Sequence, residues 1–204
     1  MTRDEAIDLL VLRDLARLST KEREALLLDW WSIDSGDSGY ADLTDFLKEK
    51  IARCDEPDDP DNAIYDFLLK IALRHAYLGV VNSYLETQTA LLGSKVVIRG
   101  IVEKLMACPC CGYRSLDVNG EYEICRVCFW EDDGTCELDQ LSSPNRMTLH
   151  EARQNFQDIG AVNQAVRRYV LSDGRDRYVL EKYRPCFVEQ QRNLTNAALK
   201  DSDT

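Results

Sequence analysis

The sequence has little histidine, two residues in 204, and no long apolar run. No stretch of about 18 apolar residues occurs, so nothing reads as a membrane-spanning helix. The first residues, MTRDEAIDLL, are charged and lack the apolar centre of a secretory signal, which argues for a cytoplasmic chain. Basic residues are outnumbered, 25 Lys and Arg against 36 Asp and Glu, for a net charge of −11. The excess acid is spread over the chain: 20 acidic and 13 basic residues before position 108, 16 and 12 after it. Binding a phosphate backbone needs the opposite sign, so nucleic acid is a disfavoured partner. No Gly-rich phosphate loop, no H-E-x-x-H and no Cys/His/Asp order is present, and the expectation is a protein without catalytic activity.

Cysteine is what the chain does have. Eight cysteines in an apparently cytoplasmic protein point to metal and free thiols in preference to disulfides. Four of them form two Cys-x-x-Cys pairs, Cys108/Cys111 and Cys125/Cys128, separated by thirteen residues. Each pair on a tight turn aims two sulfurs at one point, and two such turns surround a tetrahedral Zn2+ at about 2.3 Å. Pro109 sets the entry to the first turn and Gly112 supplies the backbone conformation at its end. Cys110 is then spare. Asn119-Gly120, midway between the pairs, is a type I′ hairpin signal, so 113–118 and 121–124 are expected to pair as strands. The expected centre is a zinc ribbon holding one structural Zn2+ on Cys108, Cys111, Cys125 and Cys128. Cys54, Cys136 and Cys186 have no such partner and read as ordinary thiols.

Around the ribbon the pattern is helical. Thr2/Glu5, Ser19/Glu22 and Thr148/Glu151 are capping boxes that open helices at 2–18, 19–31 and 148–158. A further helix is expected over 41–53, with Leu43, Phe46, Leu47 and Ile51 facing inward. Residues 55–61, DEPDDPD, read as an acidic connector. The longest pattern, 62–92, shows Ile64, Phe67, Leu68 and Ile71 on its apolar side, with Gly79 kinking or dividing it. Residues 95–98, KVVI, with Ile101-Val102, read as a strand or extended entry into the ribbon. After the ribbon, 161–170 has helical spacing, and 167–192 is the one locally basic stretch, packing internally or binding a partner. The predicted class is α+β, mostly α: a helical domain at 1–94, a zinc-ribbon domain at 95–160, and a C-terminal helical extension at 161–204.

Trp130, Glu131, Asp132 and Asp133 follow the second pair and are candidates for binding a partner. Three consecutive carboxylates diverge in any regular structure, which favours an acidic turn, exposed or capping backbone amides, over a second metal site or general acids and bases. His75 and His150 read as surface or half-buried residues, since four sulfurs already complete the site.

CPCCGYRSL, GEYEICRVCFWEDDG and the following E-A-R-x-N-F (Glu151, Ala152, Arg153, Asn155, Phe156) resemble the cysteine-rich CPCC family of bacterial proteins. The resemblance covers 108–160, and RDLARLSTKEREALLLDWW is similar to the extension of longer members; the stretch after Gly160 carries no clear likeness. It implies a zinc-ribbon-like domain and a toxin–immunity setting, in which the chain neutralises a cognate toxin. An acidic inhibitor suits a basic toxin such as a nuclease. Two alternatives stand beside it: a nucleic-acid-associated zinc-ribbon regulator, and an enzyme using the Cys110 thiol.

Overall fold

The computed structural model describes residues 1–37, 39–53 and 56–181. The chain divides into two compact units, one of residues 1–78 with 82–102, the other of 79–81 with the residues from 103 on. Among the described residues there are seven α-helices and three pairs of very short antiparallel strands, an α+β fold that is mostly α. No described helix is long and apolar enough to cross a membrane.

The first unit is helical. Helix α1 (Arg3–Leu15) starts at Thr2, whose hydroxyl accepts from the Glu5 amide while the Glu5 carboxylate accepts from the Thr2 amide. Helix α2 (Thr20–Trp30) opens on the same reciprocal device at Ser19 and Glu22. These caps satisfy amides that a helix start leaves without partners. Helix α3 (Asp45–Ala52) starts at Thr44, and helices α4 (Asp66–His75) and α5 (Asn82–Leu91) follow. One core cluster joins Leu27, Ile33, Leu43, Leu47, Ile51, Tyr65, Leu68 and Leu69. Leu10 and Val11 of α1 are also buried. Two buried arginines tie segments together through their guanidinium groups. Arg3 donates to Asn82 Oδ1 (3.0 Å) and the Tyr77 carbonyl (3.2 Å), and Arg23 to the Pro60 carbonyl (2.6 Å) and Asp66 Oδ1 (2.8 Å).

The 62–92 pattern divides, as expected, into α4 and α5. Gly79 falls in the break with φ +68°, and a Cβ there would lie 2.4 Å from Leu105 Cδ1. Phe46, Ile64 and Phe67 face outward, at 55%, 37% and 47% exposure, so the helical apolar stripe is wider than the core it meets. Residues 95–98 form no strand. The Ile98 amide is taken by Glu86 Oε1 at 2.8 Å, and the pairing beside it is a single bridge between Arg99 and Thr2.

The second unit surrounds the cysteines. Strand β1 (Met106–Ala107) pairs with β2 (Arg114–Leu116), and β3 (Glu123–Ile124) pairs with β4 (Glu131–Asp132). Strand β5 (Leu141–Ser142) pairs with β6 (Met147–Thr148), which leads into α6 (Leu149–Ile159). The expected pairing of 113–118 with 121–124 is therefore not formed: each Cys-x-x-Cys pair is the tip of its own hairpin. The reason lies in Asp132. Its buried carboxylate accepts from the Gly120 and Gly134 amides, and its carbonyl accepts from the Tyr122 amide, so 120–123 is drawn alongside 132. The helix expected over 161–170 is replaced by bends, with a 3-10 turn at Arg167–Tyr169 and a short helix α7 (Gly174–Arg177) after it. Asn163 Oδ1 takes the Ala165 and Val166 amides at 2.9 and 3.1 Å, a local bond that competes with helix formation.

Candidate metal centre

The two Cys-x-x-Cys turns share one backbone frame. In the first, the Cys108 amide donates to the Tyr113 carbonyl (2.9 Å) and the Gly112 amide to the Cys108 carbonyl (2.9 Å). In the second, the Cys125 amide donates to the Trp130 carbonyl (2.7 Å) and the Phe129 amide to the Cys125 carbonyl (2.9 Å). The offsets are the same, so Gly112 corresponds to Phe129 and Cys110 to Val127. Both residues at the fifth position have a left-handed backbone, φ +78° at Gly112 and +69° at Phe129.

These frames bring Cys108, Cys111, Cys125 and Cys128 together, with all four Sγ atoms within 4.8 Å of one another. Cys108 Sγ is 3.7 Å from Cys128 Sγ, and Cys111 Sγ is 3.6 Å from Cys125 Sγ. The edge of a tetrahedron with metal–sulfur bonds of about 2.3 Å is about 3.8 Å. The donor set and its spacing fit a tetrahedral thiophilic ion. All four side chains are buried, at 3% exposure or less.

The electrostatics of the sulfurs favour a cation. Burial pushes the Cys108, Cys111 and Cys128 thiols well above the ordinary thiol range. Burial acts upward at Cys125 too, but is outweighed there by hydrogen bonds from the Cys108, Cys111 and Cys128 thiols and the Ser115 hydroxyl, which hold it well below that range. A divalent ion at the centre of the four sulfurs would be held by thiolates, because a coordinating thiol ionises outright. The fully buried Ser115 hydroxyl lies 3.0 Å from the Cys125 sulfur, and the Val127 amide adds a further donor at 3.4 Å.

Cys110 stands outside this foursome. It is fully buried, and its thiol reaches Cys128. Its counterpart Val127 is also buried, at 1% exposure, so the position is a packing position in both turns. His150 is exposed in the first turn of α6, and His75 packs edge-on against Trp30, ring centroids 5.0 Å apart. Among the described residues, no other group of cysteine, histidine or carboxylate side chains converges as these four do. Cys136 is disulfide-bonded, in contrast to its reading as an ordinary thiol. Cys54 and Cys186, and the basic stretch beyond 181, lie outside the described residues.

Of the residues singled out after the second turn, Trp130 and Asp132 are fully buried. Asp133 is half-buried, its carboxylate accepting from the Thr135 amide (3.1 Å) and the Ser142 hydroxyl (2.9 Å). Glu131 is half-buried, and its backbone exchanges two hydrogen bonds with the Asn145 side chain, at 3.0 and 2.8 Å. Both aspartates build the turn, and their carboxylates take different amides.

The E-A-R-x-N-F stretch has a structural explanation. Arg153 Nε donates to the Pro109 carbonyl in the first turn (3.0 Å). Asn155 Nδ2 donates to the Val162 carbonyl (2.7 Å), and the Val162 amide donates to the Cys128 carbonyl in the second turn (2.9 Å). Phe156 meets Tyr113 edge-on at 6.4 Å and lies under the Arg175 guanidinium at 4.6 Å. Helix α6 is thus a strut fastened to both turns. These links, and the Ser115 hydroxyl, escape a search for cysteine spacing, because their partners are backbone carbonyls and a sulfur distant in the chain.

Two hairpin-tipped Cys-x-x-Cys turns facing each other, buttressed by a helix, define a four-thiol ribbon domain. Residues 106–176 match the family described as cysteine-rich CPCC, so the chain carries a cysteine-rich CPCC segment, over about a third of its length. The match begins at β1 and ends within α7, so the family pattern extends past Gly160, beyond the limit of the sequence likeness. Comparison with curated proteins and with solved structures gave no match.

Proposed function

We propose that the second unit holds one Zn2+ in a structural four-cysteine site, and that the chain acts as a protein-interaction module, not an enzyme. The observation that carries this is the saturated, buried donor set: four thiols within 4.8 Å of one another, with no more than 3% exposure. Four protein ligands leave no position for an activated water, in contrast to catalytic zinc. The ion would supply folding free energy to a region whose strands are two or three residues long.

The partner in this reading is a basic protein, in the manner of an immunity protein that occludes a toxin. The net charge of −11 supports it, because complementary fields speed association and disfavour wrong partners. Co-expression with the product of the neighbouring gene tests it. The expected result is a salt-sensitive complex and protection of the host cell. Neither binding nor protection would contradict the partner reading while leaving the metal reading intact.

A further inference from the structure

The first unit has an open trough that its own core does not fill. Two cavities, of about 480 and 760 Å³, share Asp42, Ile71 and Arg74. One wall is a single face of α4, with Phe67, Lys70, Ile71 and Arg74 at helical intervals of three and four. Facing it on α1 are Asp8, Val11 and Leu12. Val11 is buried and forms the floor, while Leu12 and Phe67 are 55% and 47% exposed on opposite sides. An apolar floor between two apolar rims is the geometry that receives an amphipathic helix.

The charges say which helix. Arg74 is engaged by the Asp4 and Asp8 carboxylates, and Lys70 lies over the Phe67 ring at 5.5 Å. The other end of the trough is lined by the exposed carboxylates of Asp37 and Asp42. The surrounding unit is acidic, with 19 Asp and Glu against 12 Lys and Arg over residues 1–78 and 82–102.

We infer that this trough between α1 and α4 is a docking site for a partner helix with an apolar stripe and Lys or Arg flanking it. The inference rests on the partner reading above and locates where on the chain the contact is made. Leu12 and Phe67 grip the apolar stripe, and Asp37 and Asp42 pair with the basic flank. Trp30, which lines the same trough, reports occupancy through its fluorescence.

The test titrates the full chain with a synthetic Leu/Lys peptide whose leucines fall on one helical face, and with a scrambled peptide of the same composition. The expected result is a preference for the amphipathic peptide on the order of tenfold, lost in Leu12→Glu and in Phe67→Glu. Asp42→Asn weakens binding and flattens its salt dependence, and Leu91→Glu, at an exposed site elsewhere, changes nothing. Both glutamate substitutions are at exposed positions, and an unchanged circular dichroism spectrum verifies folding. Equal binding of the two peptides, retention in Leu12→Glu and Phe67→Glu, or no binding at all overturns the docking site. A self-associating chain that Phe67→Glu makes monomeric also overturns it, giving the trough to a second copy. If the chain still binds its neighbouring gene product in any of these cases, the partner reading survives and only the location falls.

Discussion

The two Cys-x-x-Cys turns have the same backbone and almost nothing else in common. The first reads Cys-Pro-Cys-Cys-Gly-Tyr and the second Cys-Arg-Val-Cys-Phe-Trp, yet both close with the same pair of hydrogen bonds and the same positive φ at the fifth residue. Glycine meets that φ without strain. A side chain there costs about 1–2 kcal/mol. The second turn accepts the cost, and the Phe129 ring stacks on Tyr169 at 5.6 Å with an interplanar angle of 27°. Such a stack returns about 0.5–1.5 kcal/mol beyond its burial. The geometry of four converging sulfurs therefore sets the backbone, and each turn reaches it by a different local route.

The largest way to break the pair is to remove a sulfur. Cys125→Ser takes away the thiolate supported by Ser115 and the Val127 amide, and should lose the metal and melt the second unit. Apparent zinc-binding energies in such small domains are about 10–16 kcal/mol, so the loss far exceeds any packing change. Circular dichroism should still record the helices of the first unit. A cooperative second unit that persists without metal would contradict the assignment.

Next in size is the strut. Arg153→Ala removes the donor to the Pro109 carbonyl and should destabilise the second unit by about 1–3 kcal/mol, read by denaturant melting. Metal should also leave the site faster, since the first turn is no longer held from α6. Unchanged stability and release rate would show that the bond holds nothing.

The fifth position separates the turns most sharply. Gly112→Ala should cost about 1–2 kcal/mol, and Phe129→Gly should be more stable than Phe129→Ala by about the same amount, since both lose the ring and only alanine keeps the strain. Equal stability of the two Phe129 variants would mean that the positive φ carries no strain. The smallest effect is expected for Cys110→Val, which gives the first turn the residue found at the matching place in the second. Metal content should be unchanged and stability within about 1.5 kcal/mol of the parent. Loss of metal would make Cys110 a ligand.

Much of this site was legible in the residues, because a Cys-x-x-Cys turn is a local device and so are the capping boxes at Thr2, Ser19 and Thr148. The strand pairing was not. Asn119-Gly120 signals a hairpin, but the buried Asp132 carboxylate, twelve residues further on, takes the Gly120 amide and redirects the chain. The same limit applies to 161–170, where helical spacing is overridden by the Asn163 side chain and by the Val162 bond to Cys128. The Phe129-Trp130 pair reads as cover for the metal core, and Trp130 is fully buried; which of the three carboxylates beside it is buried is set by contacts that spacing does not carry. Outward-facing Phe46 and Phe67 belong to the same class: a helical period shows which residues share a face, not what covers it.

X-ray absorption at the zinc edge of the purified chain decides whether four thiolates and nothing else hold the metal. One zinc per chain with four sulfur neighbours at about 2.3 Å, and no nitrogen or oxygen bound to it, is expected. A chain that binds no zinc, or whose zinc keeps a water or an imidazole among its ligands, would contradict the four-thiolate site.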